Sequence, residues 1–201
     1  MIIIGVTGSI GMGKTTVSSM LRFLQIPVFD SDKKVKEILE KNYDVIGKIH
    51  KIWPETIHIS ERQKFVNKVA LSDIIFNDIS SKKKLEEILH PIVQNERKLF
   101  LKKHKSNNIV GIDVPLLYET GTNKLCDYIF LVNTSKEIQK KRVLSRKNMT
   151  ETKFNLINNS QWDFKRKKKE QPLIIDTSFG KIYSFFVVII YLLKIIIYGK
   201  K

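Results

Sequence analysis

The chain has 201 residues, 42% of them hydrophobic, which is enough for one domain with a full hydrophobic core. Its formal net charge is +16, but the lysines are spread along the sequence without a basic stripe interleaved with aromatic residues, so we expect no nucleic acid partner. The single cysteine, Cys126, excludes an intrachain disulfide and suits a reducing compartment. Because the first strand is predicted to begin at Ile2, we expect no signal peptide and a cytoplasmic protein.

The first sixteen residues predict a nucleotide-binding loop. Residues 2–6 are apolar and β-branched, which is typical of a buried parallel strand. Residues 8–15 then fit the pattern G-x-x-x-x-G-K-[ST], and apolar residues at helical spacing follow. In such a loop the backbone N–H groups surround the β-phosphate, and the following helix directs its positive end toward the same anion.

The loop therefore predicts ATP and Mg²⁺ as ligands. Lys14 is expected to contact the β- and γ-phosphates, and the Thr15 hydroxyl is expected to ligate the metal. The predicted nucleotide ligands are six consecutive residues: Gly11, Met12, Gly13, Lys14, Thr15 and Thr16.

A second predicted strand, residues 26–30, ends close to two carboxylates, Asp30 and Asp32. Open α/β sheets place their chemistry at the carboxyl ends of the strands. A carboxylate there is suited to orient an acceptor hydroxyl and take its proton. Asp32 also directly precedes a predicted helix over residues 33–40, so helix capping is the structural alternative for it.

The next part of the chain is predicted to be helical. Ile46, Ile49 and Ile52 favour a helix that Trp53-Pro54 interrupts. The sequence supports no other assignment of secondary structure to residues 42–60. A helix is predicted over residues 60–76, because Ser60-Glu61-Arg62-Gln63 has the form of a capping box. A long amphipathic helix is predicted over residues 85–101, with a kink or break at His90-Pro91.

Strands and helices alternate in the second half. Residues 109–113 form a buried strand ending in Asp113, the usual place for an acid that holds the water shell of Mg²⁺. Residues 128–132 and 173–176 are further strands, with helices after Asn133-Thr134-Ser135 and from about residue 150. Arg142 and Arg146 are predicted to share one helix face, and with the basic segment 165–169 to close over the triphosphate as a lid. The alternation predicts a parallel, three-layer α/β fold.

The last segment, residues 182–198, is nearly all apolar but contains Lys194. It is marginal for crossing a membrane, which takes about 20 apolar residues. We therefore rank packing on the domain as a helix or strand, or a sequence end that has drifted away from function, ahead of membrane insertion. The sequence does not indicate an oligomeric state.

The acids favour a kinase over other P-loop proteins. A regulatory GTPase is excluded because Asn123-Lys124-Leu125-Cys126-Asp127 is one residue too long for N-K-x-D, and no D-x-x-G follows a strand. A nucleic-acid motor lacks an arginine-rich recognition element here. Two alternatives stay open: another small-molecule or nucleoside monophosphate kinase, and a P-loop binding protein that has lost catalysis.

Residues 2–180 resemble the dephospho-coenzyme A kinase family. The resemblance rests on the P-loop and on blocks in the family's order, namely Val28-Phe29-Asp30-Ser31-Asp32, Leu85 to His90-Pro91, Asp113-Val114-Pro115-Leu116-Leu117-Tyr118-Glu119, Gln139 to Arg146, Gln161 and Ile175-Asp176-Thr177. It implies a P-loop kinase domain over residues 1–180, with a helical substrate-side cap at 33–103 and an ATP lid at about 139–170. Residues 181–201 form a tail outside it.

The resemblance also implies an activity and site residues. The activity is ATP-dependent phosphorylation of the ribose 3′-hydroxyl of dephospho-CoA, the last step of coenzyme A synthesis. Asp32 becomes the catalytic carboxylate, assisted by Lys14, Arg142 and Arg146, with Thr15 and Asp113 at the metal. The implied substrate-side residues are Asp32, Lys68, His90, Leu117 and Glu119.

Three departures from the family pattern concern the cap and the lid. Lys68 stands where the family usually has arginine, and lysine lacks the bidentate fork for phosphate. Glu170 reverses the charge of a lid arginine, and Gln171-Pro172 replaces Ala-Asp before the last strand. These departures predict weaker lid closure.

Overall fold

The computed structural model describes residues 1–60, 63–147 and 149–199. A five-stranded parallel sheet and a separate antiparallel pair are built from seven strands within those residues: β1 (Ile2–Thr7), β2 (Val28–Asp30), β3 (Ile57–Ser60), β4 (Gln63–Val66), β5 (Ile109–Asp113), β6 (Tyr128–Asn133) and β7 (Leu173–Asp176). The parallel sheet has the order β2-β5-β1-β6-β7, and β3 pairs with β4.

Helices flank these strands. In chain order they are α1 (Lys14–Phe23), α2 (Ser31–Lys41), α3 (Tyr43–Ile52), α4 (Lys68–Asn77), α5 (Ile79–Lys103), α6 (Lys136–Leu144), α7 (Glu151–Asn159), α8 (Phe164–Lys169) and α9 (Gly180–Tyr198). The predicted class, an α/β fold with a parallel sheet of P-loop kinase type, is confirmed.

The sheet register sets the position of the candidate site. β1 lies between β5 and β6, with Val6 opposite Asp113. β2 pairs with the other side of β5, so that Asp30 lies opposite Asp113. The carboxyl ends of these three strands therefore meet at one edge, where open α/β sheets bind their ligands.

The chain divides into two compact units. One comprises Met1–Asp30 with Lys103–Lys201 and contains the parallel sheet. Its core packs β1 and β6 side chains such as Ile4 and Phe130 against α1 and α9. The other, Ser31–Lys102, has its own core around Ile49, Trp53 and Leu89.

The helix predicted over residues 60–76 is wrong at its start. Gln63–Val66 is a strand, antiparallel to Ile57–Ser60, and α4 begins at Lys68. The alternation of apolar and polar residues in 57–60 favours a strand, and it outweighed the capping-box pattern. Glu61 and Arg62 of that pattern lie outside the described residues. The N-cap of α4 is Asn67, whose side chain accepts hydrogen bonds from the N–H groups of Val69 and Ala70.

Three further expectations about helices need correction. Of the kink or break predicted at His90-Pro91 the break is absent, because α5 is one helix through Pro91, and the kink stays a prediction. Asp32 does not precede its helix as a cap, since it is the second residue of α2. Arg146 does not share a helix face with Arg142, because α6 ends at Leu144 and Ser145 caps it by donating its hydroxyl to the carbonyl of Arg142.

The apolar end of the chain forms α9. Ser184, Val188, Leu192 and Ile195 are its buried residues, and the last three belong to the core around the parallel sheet. By length and composition α9 meets the criteria for a membrane span, as does no other helix of the described residues.

Candidate active site

The loop between β1 and α1 is held open by glycines. Gly11 and Gly13 have φ of 79° and 96°, in the left-handed region that side chains disfavour. A Cβ at Gly11 would lie 2.5 Å from Cγ2 of Val143, and one at Gly13 would lie 3.0 Å from Oγ1 of Thr177. The predicted phosphate loop therefore has the backbone shape and the close packing that require glycine.

Lys14 and Asp113 form an ion pair at the edge of the sheet. Lys14 is the first residue of α1, and its ammonium group contacts Oδ1 of Asp113. Asp113 ends β5 and is buried, and its Oδ2 accepts a hydrogen bond from Oγ of Ser18 at 2.6 Å. Two side chains from α1 thus hold a carboxylate at the carboxyl end of β5, beside the start of the helix that follows the predicted phosphate loop. Ser18 was not singled out from the sequence.

Arg142 reaches the loop through Thr177. Its Nη1 donates to Oγ1 of Thr177 at 2.8 Å, and its Nη2 donates to the Thr177 carbonyl at 3.1 Å. The Thr177 hydroxyl in turn donates to the carbonyl oxygen of Met12 at 2.8 Å. Thr177 therefore links Arg142 to the phosphate loop, whereas Arg146 is exposed beyond the end of α6.

Side chains of the predicted lid also bind the loop backbone at Ile10. The Ile10 N–H donates to Oε1 of Gln161 at 3.0 Å, and the Ile10 carbonyl accepts from Nε2 of Gln139 at 2.8 Å. The same Gln139 amide donates to Oδ1 of Asn158 in α7 at 3.2 Å. Residues 139–161 are thus tied directly to the phosphate loop by amide groups, which sequence reasoning had matched to the family without assigning them a role.

Glu119, predicted on the substrate side, contacts residues of the predicted lid. Its Oε1 accepts a hydrogen bond from the backbone N–H of Trp162 at 2.6 Å and lies 3.6 Å from Nζ of Lys167 in α8. Lys167 is fully buried, and burial lowers the pKa of its ammonium group, an effect that the Glu119 carboxylate opposes. The Trp162 ring stacks on Tyr118, and the Arg166 guanidinium lies 3.5 Å from the Trp162 ring centre. Tyr118 is buried as well, which raises the pKa of its hydroxyl.

Leu117, Glu170 and Pro172 are also placed within this unit. Leu117 is fully buried and packs against β1 at Gly5. Glu170 caps the C-terminus of α8 and is exposed, and Gln171 has φ of 53° before Pro172 leads into β7. A substrate contact for Leu117 stays a prediction.

The remaining predicted residues belong to the other unit. Asp32 and His90 are exposed, on α2 and α5. Lys68 is the first residue of α4, and its ammonium group binds the carboxylate of Glu40. That contact lowers the pKa of Glu40. Their predicted roles toward a substrate stay predictions.

The residues at the sheet edge fit a magnesium ion bound together with phosphates. Mg²⁺ takes oxygen ligands, uses one or two protein side chains and keeps several waters. Asp113 and the exposed hydroxyl of Thr15 are donors of that kind. Residues 1–60, 63–147 and 149–199 contain no cluster of three or more histidine, cysteine or acidic side chains, as an all-protein metal site would need.

Comparison with known proteins assigns the chain to a family. The family model described as dephospho-CoA kinase matches residues 2–181. The dephospho-CoA kinase of Zymomonas mobilis is 39% identical over 176 residues, which cover 88% of this chain and 87% of that protein. The chain belongs to the dephospho-CoA kinase family. The predicted resemblance is confirmed, and the chain is a kinase for which the family implies ATP as co-substrate.

Two solved structures show the same fold. The crystal structure of TT1252 from Thermus thermophilus has a TM-score of 0.78 at 26% identity, and the alignment covers 96% of each chain. Dephospho-CoA kinase from Campylobacter jejuni has a TM-score of 0.69 at 23% identity, again over 96% of each chain. Coverage of this extent includes both compact units of the present structure.

Proposed function

We propose that this chain transfers the γ-phosphoryl group of ATP to the ribose 3′-hydroxyl of dephospho-CoA, giving coenzyme A and ADP in the cytoplasm. The observation that carries the proposal is the ion pair between the buried Asp113 and Lys14, which directly follows a loop whose conformation and packing require glycine. Family membership supplies the acceptor, since P-loop geometry alone is shared by kinases, switches and motors.

In the proposed reaction Lys14 exchanges one anion for another. Without nucleotide its ammonium group neutralises Asp113; with ATP it contacts the β- and γ-phosphates from the same position at the start of α1. The loop N–H groups and the positive end of α1 bind the remaining phosphate charge. This exchange leaves Asp113 hydrogen-bonded to Ser18 and free to accept a new cationic partner.

Asp113 and Thr15 are the residues proposed to hold magnesium. A bound Mg²⁺ would neutralise charge that develops between the β- and γ-phosphates. Arg142 is proposed to add a second positive charge, because its hydrogen bonds to Thr177 fix it beside the carbonyl of Met12 in the loop.

Asp32 is the proposed catalytic carboxylate. As the 3′-hydroxyl attacks the γ-phosphorus, its O–H bond breaks, the proton passes to the Asp32 carboxylate and ADP leaves. The family motif supports this role, and an exposed position in the first turn of α2, two residues after β2, leaves the side chain accessible to a substrate. Residues 33–103 are proposed as the substrate-side cap, and residues 139–170 as the lid that keeps water from the γ-phosphate.

A coupled assay of ADP release tests the proposed reaction. Purified protein with ATP, Mg²⁺ and dephospho-CoA should release ADP in proportion to the coenzyme A formed, and Lys14→Ala should abolish both. A panel of other acceptors, including adenosine, shikimate and nucleoside monophosphates, should give background rates. Turnover of one of these in place of dephospho-CoA would contradict the proposed acceptor.

Replacement of Asp32 tests its catalytic role. Asp32→Asn should keep ATP affinity and lower kcat by about 10²–10⁴-fold, the usual contribution of a general base. Asp44→Asn is the matched control, because Asp44 is also an exposed acid in the first turn of a helix. If the two variants have the same kcat, Asp32 stabilises the first turn of α2 and has no catalytic role.

A further inference from the structure

The outward side of α9 carries an apolar stripe that the fold does not cover. Six apolar residues follow one another at spacings of four and three residues in turn, which places them on one side of a helix. Each of them is between 48% and 75% exposed: Phe179, Tyr183, Phe186, Ile190, Leu193 and Ile197. We call these six residues the outer face of α9. Exposed apolar patches of this extent mark interaction sites on soluble proteins.

The opposite side of α9 ties the helix to the sheet. Besides its buried aliphatic residues, Ser184 donates to the carbonyl of Asp176 at 3.3 Å, and Tyr191 donates to the carbonyl of Ile174 at 3.1 Å. Tyr128 of β6 donates to the carbonyl of Gly199 at 2.8 Å. To cross a membrane, α9 would have to leave these partners and the core. While α9 stays packed on the sheet, its outer face can contact a surface that runs parallel to the helix axis.

A groove beside the outer face extends the apolar surface. It has a volume of about 690 Å³, lies between α1 and α9, and is lined by residues including Met20, Phe23, Ile182, Phe185 and Phe186. Phe23 is 74% exposed, and its ring meets the edge of the Phe185 ring at 5.8 Å between centres. The groove has the apolar lining that an acyl chain would contact.

The charged residues of α9 are both lysines. The sequence after Asp176 contains four lysines, at 181, 194, 200 and 201, and no acidic residue. The two lysines of α9 are both exposed: Lys194 follows Leu193 of the outer face, whereas Lys181, three residues before the buried Ser184, lines the groove. Two outer faces paired symmetrically would bring lysines together with no carboxylate on α9 to pair them. A partner that is both apolar and anionic would cover the exposed apolar side chains and neutralise the lysines.

We propose that the outer face of α9 docks this protein on the surface of an anionic phospholipid bilayer, with the helix lying in the plane of the interface. The stripe and the groove supply the apolar contact, and Lys181 and Lys194 meet the headgroups. No residue of the outer face is assigned to the reaction, whereas the groove is also lined by Thr15 and Thr16 of the predicted nucleotide site, so the variants that test the proposal are confined to α9.

Sedimentation with vesicles tests the proposal on the full chain. Vesicles of phosphatidylcholine with about 30 mol % phosphatidylglycerol should bind the protein, more weakly as salt increases, while pure phosphatidylcholine should bind it at least tenfold less. Phe186→Ser/Ile190→Ser should reduce binding at least tenfold. Lys181→Gln/Lys194→Gln should reduce binding to the anionic vesicles by about fivefold per lysine, leaving binding to neutral vesicles unchanged.

A matched control separates docking from general stickiness. Ile79→Ser/Leu99→Ser removes two apolar side chains of α5 that are at least as exposed as Ile190 and should leave vesicle binding unchanged. Circular dichroism should show each variant folded, with a Tm close to that of the parent. Absence of binding to anionic vesicles overturns the proposal. So does a sedimentation equilibrium experiment in which the parent is a dimer and Phe186→Ser/Ile190→Ser a monomer, because the outer face would then bind a second copy.

Discussion

Lys167 places an ammonium group where a lysine rarely lies. Its side chain is fully buried, Nζ has no hydrogen-bond partner among the described residues, and the carboxylate of Glu119 lies 3.6 Å away. Glu119 Oε2 and the Tyr118 hydroxyl are also buried and have no hydrogen-bond partner in the part of the chain that the structure describes. Charges in such surroundings depend on each other, because each compensates for the hydration that the other has lost. The pair joins α8, in the predicted lid, to the loop after β5.

Removing one partner of this pair should cost more than removing a surface lysine. Lys167→Met keeps the length of the side chain but leaves Glu119 without a cation, so we expect the free energy of unfolding to fall by about 2–4 kcal/mol. Lys168→Met, on the exposed side of the same helix, should change it by less than about 0.5 kcal/mol. Urea unfolding measures both. Adding Glu119→Gln to Lys167→Met should recover part of the loss, because the glutamine oxygen can still accept the Trp162 N–H.

The pH dependence of unfolding gives a second measurement on Lys167. Burial lowers the pKa of this lysine, so between that lowered pKa and the ordinary value of about 10.4 the unfolded chain binds more protons than the folded one. The stability contribution of Lys167 therefore rises with pH through that window and is smallest below it. The parent should gain stability relative to Lys167→Met as the pH increases from 7 toward about 10. Parallel curves for the two proteins would contradict the lowered pKa.

Residue patterns predicted the phosphate loop well and its supports poorly. The glycine spacing, Lys14 and the acid ending β5 follow from chemical requirements that leave few alternatives, and the structure brings Lys14 and Asp113 together. Ser18 contributes through a contact across the fold that no local pattern encodes, and Thr177 and Lys167 were visible only as members of a family block and of the basic segment, without their contacts. Gln139 and Gln161 were visible as members of family blocks, but their hydrogen bonds to Ile10 depend on where α6 and the segment after α7 meet the loop.

At the scale of elements, the clearest failure was the hairpin of β3 and β4. A capping-box pattern suggested a helix start at Ser60, although the helix begins eight residues later. The strands have few residues each, and one-residue steps between apolar and polar side chains over so short a stretch give a weak signal. At Pro91 a break was one of two expected outcomes, and it is absent because a helix as long as α5 tolerates the one backbone hydrogen bond that proline removes.

The start of α4 depends on Asn67. Its side-chain oxygen accepts from two backbone N–H groups, at 3.1 and 3.2 Å, that the helix itself leaves without partners. Asn67→Ala should lower the free energy of unfolding by about 1 kcal/mol. Asn77→Ala, at the other end of the same helix, is the control, because that side chain donates to a carbonyl and caps no N–H group. Equal losses in the two variants, measured by urea unfolding, would rule out a capping role for Asn67.

Considered as a whole molecule, the chain combines a kinase fold with an unusually apolar end. The alternation of strands and helices predicted the parallel sheet because each crossover must return over one face of it. The same alternation says nothing about the segment after β7, where the sheet ends. There the structure shows one helix with two apolar sides, one built into the core and one exposed. The two sides are separable by mutation, since they share no residue.

Truncation after Gly180 should therefore prevent folding rather than release a dispensable tail. Val188, Leu192 and Ile195 are buried against the core, and each contributes about 1.5–3 kcal/mol. Their summed loss, roughly 5–9 kcal/mol, is comparable with the 5–15 kcal/mol by which domains are usually stable. Residues 1–180 should show no cooperative thermal transition, whereas full-length protein carrying Phe186→Ser should melt within a few degrees of the parent. A cooperative transition of parental midpoint in the truncated chain would show that α9 does not stabilise the sheet.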